Sequence, residues 1–140
     1  MLPIILQAAE NFCIHQLRLS CQPITDSPQK RTLLAYIDVE AGDGTSHRVF
    51  VGCDFVLMQM ITEMFLGEDE SDEQTLIDML LETTNMIVGS AKVLAEESYE
   101  QSMTIATPFF VSEEVFQNRL DEMQRLGIEN GEMMIALQRL

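Results

Sequence analysis

The chain has 140 residues, 46% of them hydrophobic, and sets 23 acidic side chains against 8 basic ones, a formal net charge of −15. That charge disfavours nucleic acid and anionic membrane surfaces as partners, and no stretch approaches the ~18 uncharged apolar residues of a membrane span. Cys13, Cys21 and Cys53 form no C-x-x-C pair and are accompanied by two histidines, which fits a reducing cytoplasm and argues against a zinc site. The length suits one domain over residues 1–140. Met1 to Glu10 carries no basic segment followed by a long apolar run, so no secretory signal is expected.

In chain order, residues 4–16 predict a helix, because Ile4, Ile5, Ala8, Ala9 and Phe12 follow a three-four spacing and Pro3 suits a first helical position. Pro23, Asp26, Ser27 and Pro28 mark an irregular connection, with a short strand expected around residues 17–21. Residues 33–39 are rich in β-formers, Gly42-Asp43-Gly44 supplies a turn, and residues 47–51 return, which predicts a hairpin. Asp54 is placed to cap a helix that runs to Phe65 and stops at Gly67. In that helix Val56, Met60 and Met64 share a face with Leu57 and Ile61, and Met58, Met60 and Met64 read as core filling rather than as an adaptable groove. The acidic run from Glu68 to Glu73 could steer a basic partner or hold a divalent ion. Its spacing fits no metal loop, so a solvated linker that favourably charges the next helix start is the preferred reading.

The long helix expected over residues 72–97 organises the chain. An α-helix turns ~100° per residue, so Asp78, Glu82, Asn85 and Gly89, at i, i+4, i+7 and i+11, fall in one narrow strip. A mostly apolar strip of Ile77, Leu81, Thr84, Val88, Ala91 and Ala95 lies about a quarter-turn away. The helix should bury that strip and display a carboxylate and an amide one turn apart. Gly89 costs about 1 kcal/mol of helix stability relative to Ala and leaves room for an approaching surface. Beyond it, residues 102–107 read as a strand ending at Pro108, with residues 109–111 as a possible continuation. Ser112, Glu113 and Glu114 resemble a capped helix start, whose buried face would hold Val115 or Phe116, Leu120, Met123 and Leu126. Gly127 and Asn130-Gly131 punctuate, and residues 133–137 read as a last strand.

The series Asp78, three residues, Glu82, two residues, Asn85, then twenty-two residues and Pro108, with Gly89 after the Asn, resembles the signature of the CheC/CheX/FliY phosphatases of bacterial chemotaxis. One fixed residue matches by chance about one time in twenty on average composition, so Glu-x-x-Asn alone carries little. The full set at its spacing makes coincidence a poor explanation. The resemblance extends loosely over residues 1–111, and the expected tail helix departs from the strand pairing usual after that Pro.

The resemblance implies an α+β fold of the CheC/CheX type, with long helices packed on one face of an antiparallel sheet. It implies hydrolysis of the aspartyl phosphate of a CheY-type response regulator in the cytoplasm. In such phosphatases the Asn orients the attacking water and the Glu pairs with the regulator's active-site Lys, roles that pass here to Asn85 and Glu82. Asp78, Gly89 and Pro108 carry over as motif residues, with Pro108 read as structural. The chain would need no cofactor or metal of its own, since Mg²⁺ belongs to the regulator. A homodimer formed by extending the sheet is also implied. CheC-type members carry the motif twice, but here Asn11 on the first helix is preceded by Ala8 where the Glu would stand, and Leu34 takes the place of the Pro. One motif fits CheX better than the longer CheC or FliY. The competing reading is a non-catalytic module of the same fold that binds a response regulator or flagellar-switch component.

Overall fold

The computed structural model describes residues 1–25, 32–111 and 120–140. Among these, α1 (Leu2–Asn11) continues into a π-helical turn (Phe12–Leu17) and leads to β1 (Gln22–Ile24). Then follow β2 (Thr32–Ala41), β3 (Ser46–Asp54), α2 (Phe55–Leu66), α3 (Glu73–Ser98), β4 (Met103–Ile105), β5 (Phe109–Val111), β6 (Glu122–Ile128) and β7 (Gly131–Arg139). The strands form one antiparallel sheet in the order β1-β6-β7-β3-β2-β4, with β5 also paired to β2. The α+β arrangement expected from the sequence is what forms.

Alternation on the strands decides which face the helices cover. Leu33, Ala35, Ile37 and Val39 of β2, Val49 and Val51 of β3, and Met133, Ile135 and Leu137 of β7 point into the main core with Ile5, Ala8, Leu80, Ile87, Val88 and Ala91 of the helices. Leu34, Phe50 and Ala136 point the other way and form a smaller buried cluster. On that second face Arg48 pairs with Asp38 at 2.7 Å and lies 4.1 Å from the centre of the Tyr36 ring. The ion pair and its hydrogen bonds push the Arg48 guanidinium above its ordinary range.

Local chemistry explains the element boundaries. Asp54 caps α2 by accepting a hydrogen bond from Leu57 N at 2.9 Å, and Gly67 ends that helix at φ 73°, where a β-carbon would be strained. Asp72 caps α3 in the same way, accepting from Thr75 N at 2.8 Å, and hydrogen bonds from the Thr75 side chain and backbone hold its carboxyl below the usual range. At the β6–β7 turn a β-carbon on Gly131 would come within 2.7 Å of the Leu57 side chain, so glycine lets the hairpin approach α2.

Four sequence expectations change. The first strand is Gln22–Ile24, because residues 12–17 remain helical in a π turn that ends at Arg18 in the left-handed region. The proposed tail helix start at residues 112–119 lies outside the described residues, but Met123 and Leu126 belong to β6. There Leu126 and Ile128 alternate into the core and Met123 faces out. The tail therefore supplies strand pairing after all, and Gly127 lies within the strand instead of ending a helix. On α2, Met58 is fully buried, whereas Met60 is half-buried and Val56 and Met64 are exposed, so the methionines are only partly core.

Candidate functional site

Helix α3 buries Leu76, Met79, Leu80, Thr83, Thr84, Ile87, Val88, Ala91 and Ala95. Thr84 is satisfied within the helix, its Oγ1 donating to Leu80 O at 2.7 Å. That broad stripe rotates Asp78, Glu82 and Asn85 into solvent, with Gly89 half-buried at the end of the same strip. Asp78 Oδ1 accepts a hydrogen bond from Gln74 Nε2 at 2.9 Å, which ties it to the preceding turn. Among the described hydrogen bonds and ion pairs none engages Glu82 or Asn85, leaving a carboxylate and an amide, separated by one turn, on a rigid helix.

Sheet geometry carries Pro108 to these side chains. In β4 Ile105 pairs with Val39, and in β5 Phe109 pairs with Tyr36. Three residues, Ala106, Thr107 and Pro108, therefore oppose two, Ile37 and Asp38. The extra residue makes a bulge, which bends the strand, and Pro108 has no N–H to lose from the ladder. Ala106 N still donates to Asp38 O at 2.9 Å, which anchors the bulge. Its residues line an open groove of about 640 Å³ with Leu81, Glu82, Asn85 and Ile105. Thus Glu82, Asn85 and Pro108 meet at one groove, while Asp78 and Gly89 flank it along the helix. Leu81 of α3 and the bulge residues Ala106 and Thr107 complete its wall; strand-pairing register, which no spacing in the sequence reveals, brings the bulge residues there.

Among the described residues a β-carbon on Gly89 would meet nothing within 4 Å, so packing against them does not require glycine there. The cysteines lie away from the groove. Cys13 and Cys53 are buried, and burial pushes the Cys13 thiol up to about 12 and raises that of Cys53 further, which makes both poor nucleophiles. Among the described residues no three His, Cys, Asp or Glu side chains converge to hold a metal ion, and no helix is long and apolar enough to cross a membrane.

The fold and groove define a helix-displayed carboxylate–amide pair on a one-sheet α+β scaffold. The family model described as chemotaxis phosphatase CheX matches residues 35–129, and the chain belongs to that family. Its structure is similar to the chemotaxis protein CheX from Vibrio vulnificus, with a TM-score of 0.75 and 22% identity over 98% of this chain and 97% of that one. It is also similar to CheX in the CheX–CheY–BeF3–Mg²⁺ complex from Borrelia burgdorferi, with a TM-score of 0.69 and 15% identity over 98% and 97% of the two chains. FliY from Thermotoga maritima is more distant, with a TM-score of 0.60 and 14% identity over 96% and 84%. No curated protein sequence matches this chain.

Proposed function

We propose that this protein hydrolyses the aspartyl phosphate of a CheY-type response regulator, with Asn85 positioning the attacking water and Glu82 anchoring the regulator. The observation that carries the reading is the convergence of exposed Glu82 and Asn85 with Pro108 at one groove in a chain of the CheX family. The similar chain in the Borrelia complex, crystallised with CheY, BeF3 and Mg²⁺, supports a receiver domain as the partner.

The chemistry asks little of the protein beyond placement. An acyl phosphate is already activated, and the regulator's own Mg²⁺ and Lys stabilise the charge that develops on the phosphoryl oxygens. The remaining barrier is bringing a water in line, which is a positioning task. The Asn85 amide has both a donor and an acceptor with which to hold that water, and it adds no negative charge near the phosphoryl group. Glu82, one turn before it, offers the regulator's Lys a charge-assisted hydrogen bond that fixes the docking. On this reading neither a nucleophile nor a metal of the protein's own takes part, and the reaction belongs in the cytoplasm.

A homodimer built by sheet extension is part of the same reading. Strand β1 pairs with β6 only from Gln22 to Ile24, opposite Gly127 to Arg125, so among the described residues Glu122–Gln124 form an open edge that a second copy can extend.

The test is the decay of a phosphorylated CheY-type receiver with Mg²⁺, alone, with the native protein and with Asn85→Ala. Native protein is expected to accelerate decay, and Asn85→Ala to lose about a hundredfold or more of that acceleration while still binding the BeF3-activated receiver. Equal, unchanged decay with both proteins across several receivers that they nonetheless bind would replace hydrolysis with a pure binding role.

A further inference from the structure

Helix α2 departs from the pattern of an ordinary surface helix. Nine of its twelve residues are apolar and Glu63 is its one charged residue. Leu57, Met58 and Ile61 are fully buried against the sheet and helices, yet Val56 and Met64 are each 49% exposed and Leu66 54%. Val56, Met60 and Met64 follow at i, i+4 and i+8, one line along the outward side. A helix apolar all round normally lies inside a protein, and exposed methionines, flexible and polarizable, suit a surface that adapts to a partner.

The acidic turn that follows is folded back beside this line. Gln59 Nε2 donates to Glu68 O at 3.2 Å and Gln59 Oε1 accepts from Ser71 N at 3.1 Å. Those two bonds set the exposed Glu68, Asp69 and Glu70 next to α2. The result is an apolar row about 12 Å long with a carboxylate rim, on a helix other than the one that carries Glu82 and Asn85.

From this we infer that the outward face of α2 and its acidic rim dock a basic amphipathic helix of another protein. Its apolar row covers Val56, Met60 and Met64, and its Lys or Arg residues meet Glu68, Asp69 and Glu70. Charge selects this occupant. A second copy docked face to face here would bring its own Glu68, Asp69 and Glu70 against these carboxylates, and an anionic lipid surface would be repelled in the same way.

The test uses two synthetic peptides of about five helical turns, identical in composition. One places leucines along a single face among lysines, and the other shuffles them around the helix. Binding is followed by calorimetry and by NMR of labelled methionine methyl groups. The facial peptide is expected to bind about tenfold more tightly and to shift Met60 and Met64 but not the buried Met133. Val56→Gln with Met64→Gln, both at half-exposed positions, should weaken it about tenfold with the melting temperature unchanged. Glu68→Gln with Glu70→Gln should flatten the salt dependence of binding. Equal affinity for the two peptides, or no loss in either double variant, overturns the inference by reducing the effect to bulk charge. A dimer in sedimentation that Val56→Gln with Met64→Gln dissociates also overturns it, because the face then belongs to a second copy. Receiver dephosphorylation should be the same in the native protein and both double variants, so this result stands apart from that of the Asn85 assay.

Discussion

Helices α1 and α3 pack against each other over the same sheet face, yet only α3 displays a carboxylate–amide pair. On α3 the core stripe leaves Asp78, Glu82 and Asn85 in solvent beside a groove. On α1 the position three before Asn11 is Ala8, which is fully buried with Ala9. Asn11 is half-buried, and its Oδ1 accepts a hydrogen bond from Gln7 Nε2 at 3.1 Å. Leu34, at the place a motif proline would hold, is 7% exposed in the middle of β2. The comparison teaches that an Asn on a helix is not yet a site. The strip before it must be rotated off the core, and a strand bulge must open a groove against it.

The sharpest way to break the comparison is to write the missing carboxylate into α1. Ala8→Glu restores the Glu-x-x-Asn spacing but places the new side chain where no solvent reaches, so a carboxylate there must be desolvated or held neutral. The expected outcome is a loss of about 4 kcal/mol of stability or more, read by urea unfolding, with no second activity when tested against Asn85→Ala as background. A variant of native stability that rescues Asn85→Ala would show that α1 is a latent site and that burial is not what distinguishes the helices.

Much of this contrast was legible in the sequence, for physical reasons that differ along the chain. The α3 strip was readable because a long helix with a polar face and a buried face leaves a strong 3.6-residue period. The β2–β3 hairpin and the Asp54 cap were readable from turn chemistry and a single well-placed side chain. Helix α2 gave no such contrast: with apolar residues all round, periodicity could not separate Met58 inside from Met64 outside. Around β6, Leu120 before the strand and Met123 and Leu126 within it imitate a helical three-residue spacing, and only pairing with β7 reveals that Leu126 and Ile128 alternate. The groove was half legible. Pro108 was readable as the end of a strand, but the three-against-two mismatch opposite Ile37 and Asp38 depends on strand register.

A smaller effect separates the two members of the pair on α3. Glu82 is exposed, so Glu82→Gln should leave the fold and the melting temperature unchanged. If Glu82 holds the regulator's Lys, losing its charge should raise the receiver concentration needed for half-maximal rate about tenfold and change the maximal rate far less. The salt dependence of the half-saturating concentration should weaken at the same time. An equal fall in maximal rate with no change in half-saturation would move Glu82 from docking into the chemical step.

The smallest effect concerns the end of the strip and has opposite signs in its two readouts. Among the described residues a β-carbon on Gly89 meets nothing within 4 Å, and the residue lies in the interior of α3. Gly89→Ala should therefore stabilise the protein by about 0.8 kcal/mol, a rise of roughly 3 °C in melting temperature for a chain of this size. If the receiver surface uses the space, the same variant should raise half-saturation modestly, and Gly89→Leu should raise it further while folding normally. Higher stability with unchanged half-saturation in both variants would mean that the docking face stops at Asn85. A drop in stability would instead mean that the helix needs glycine at this position for its own backbone.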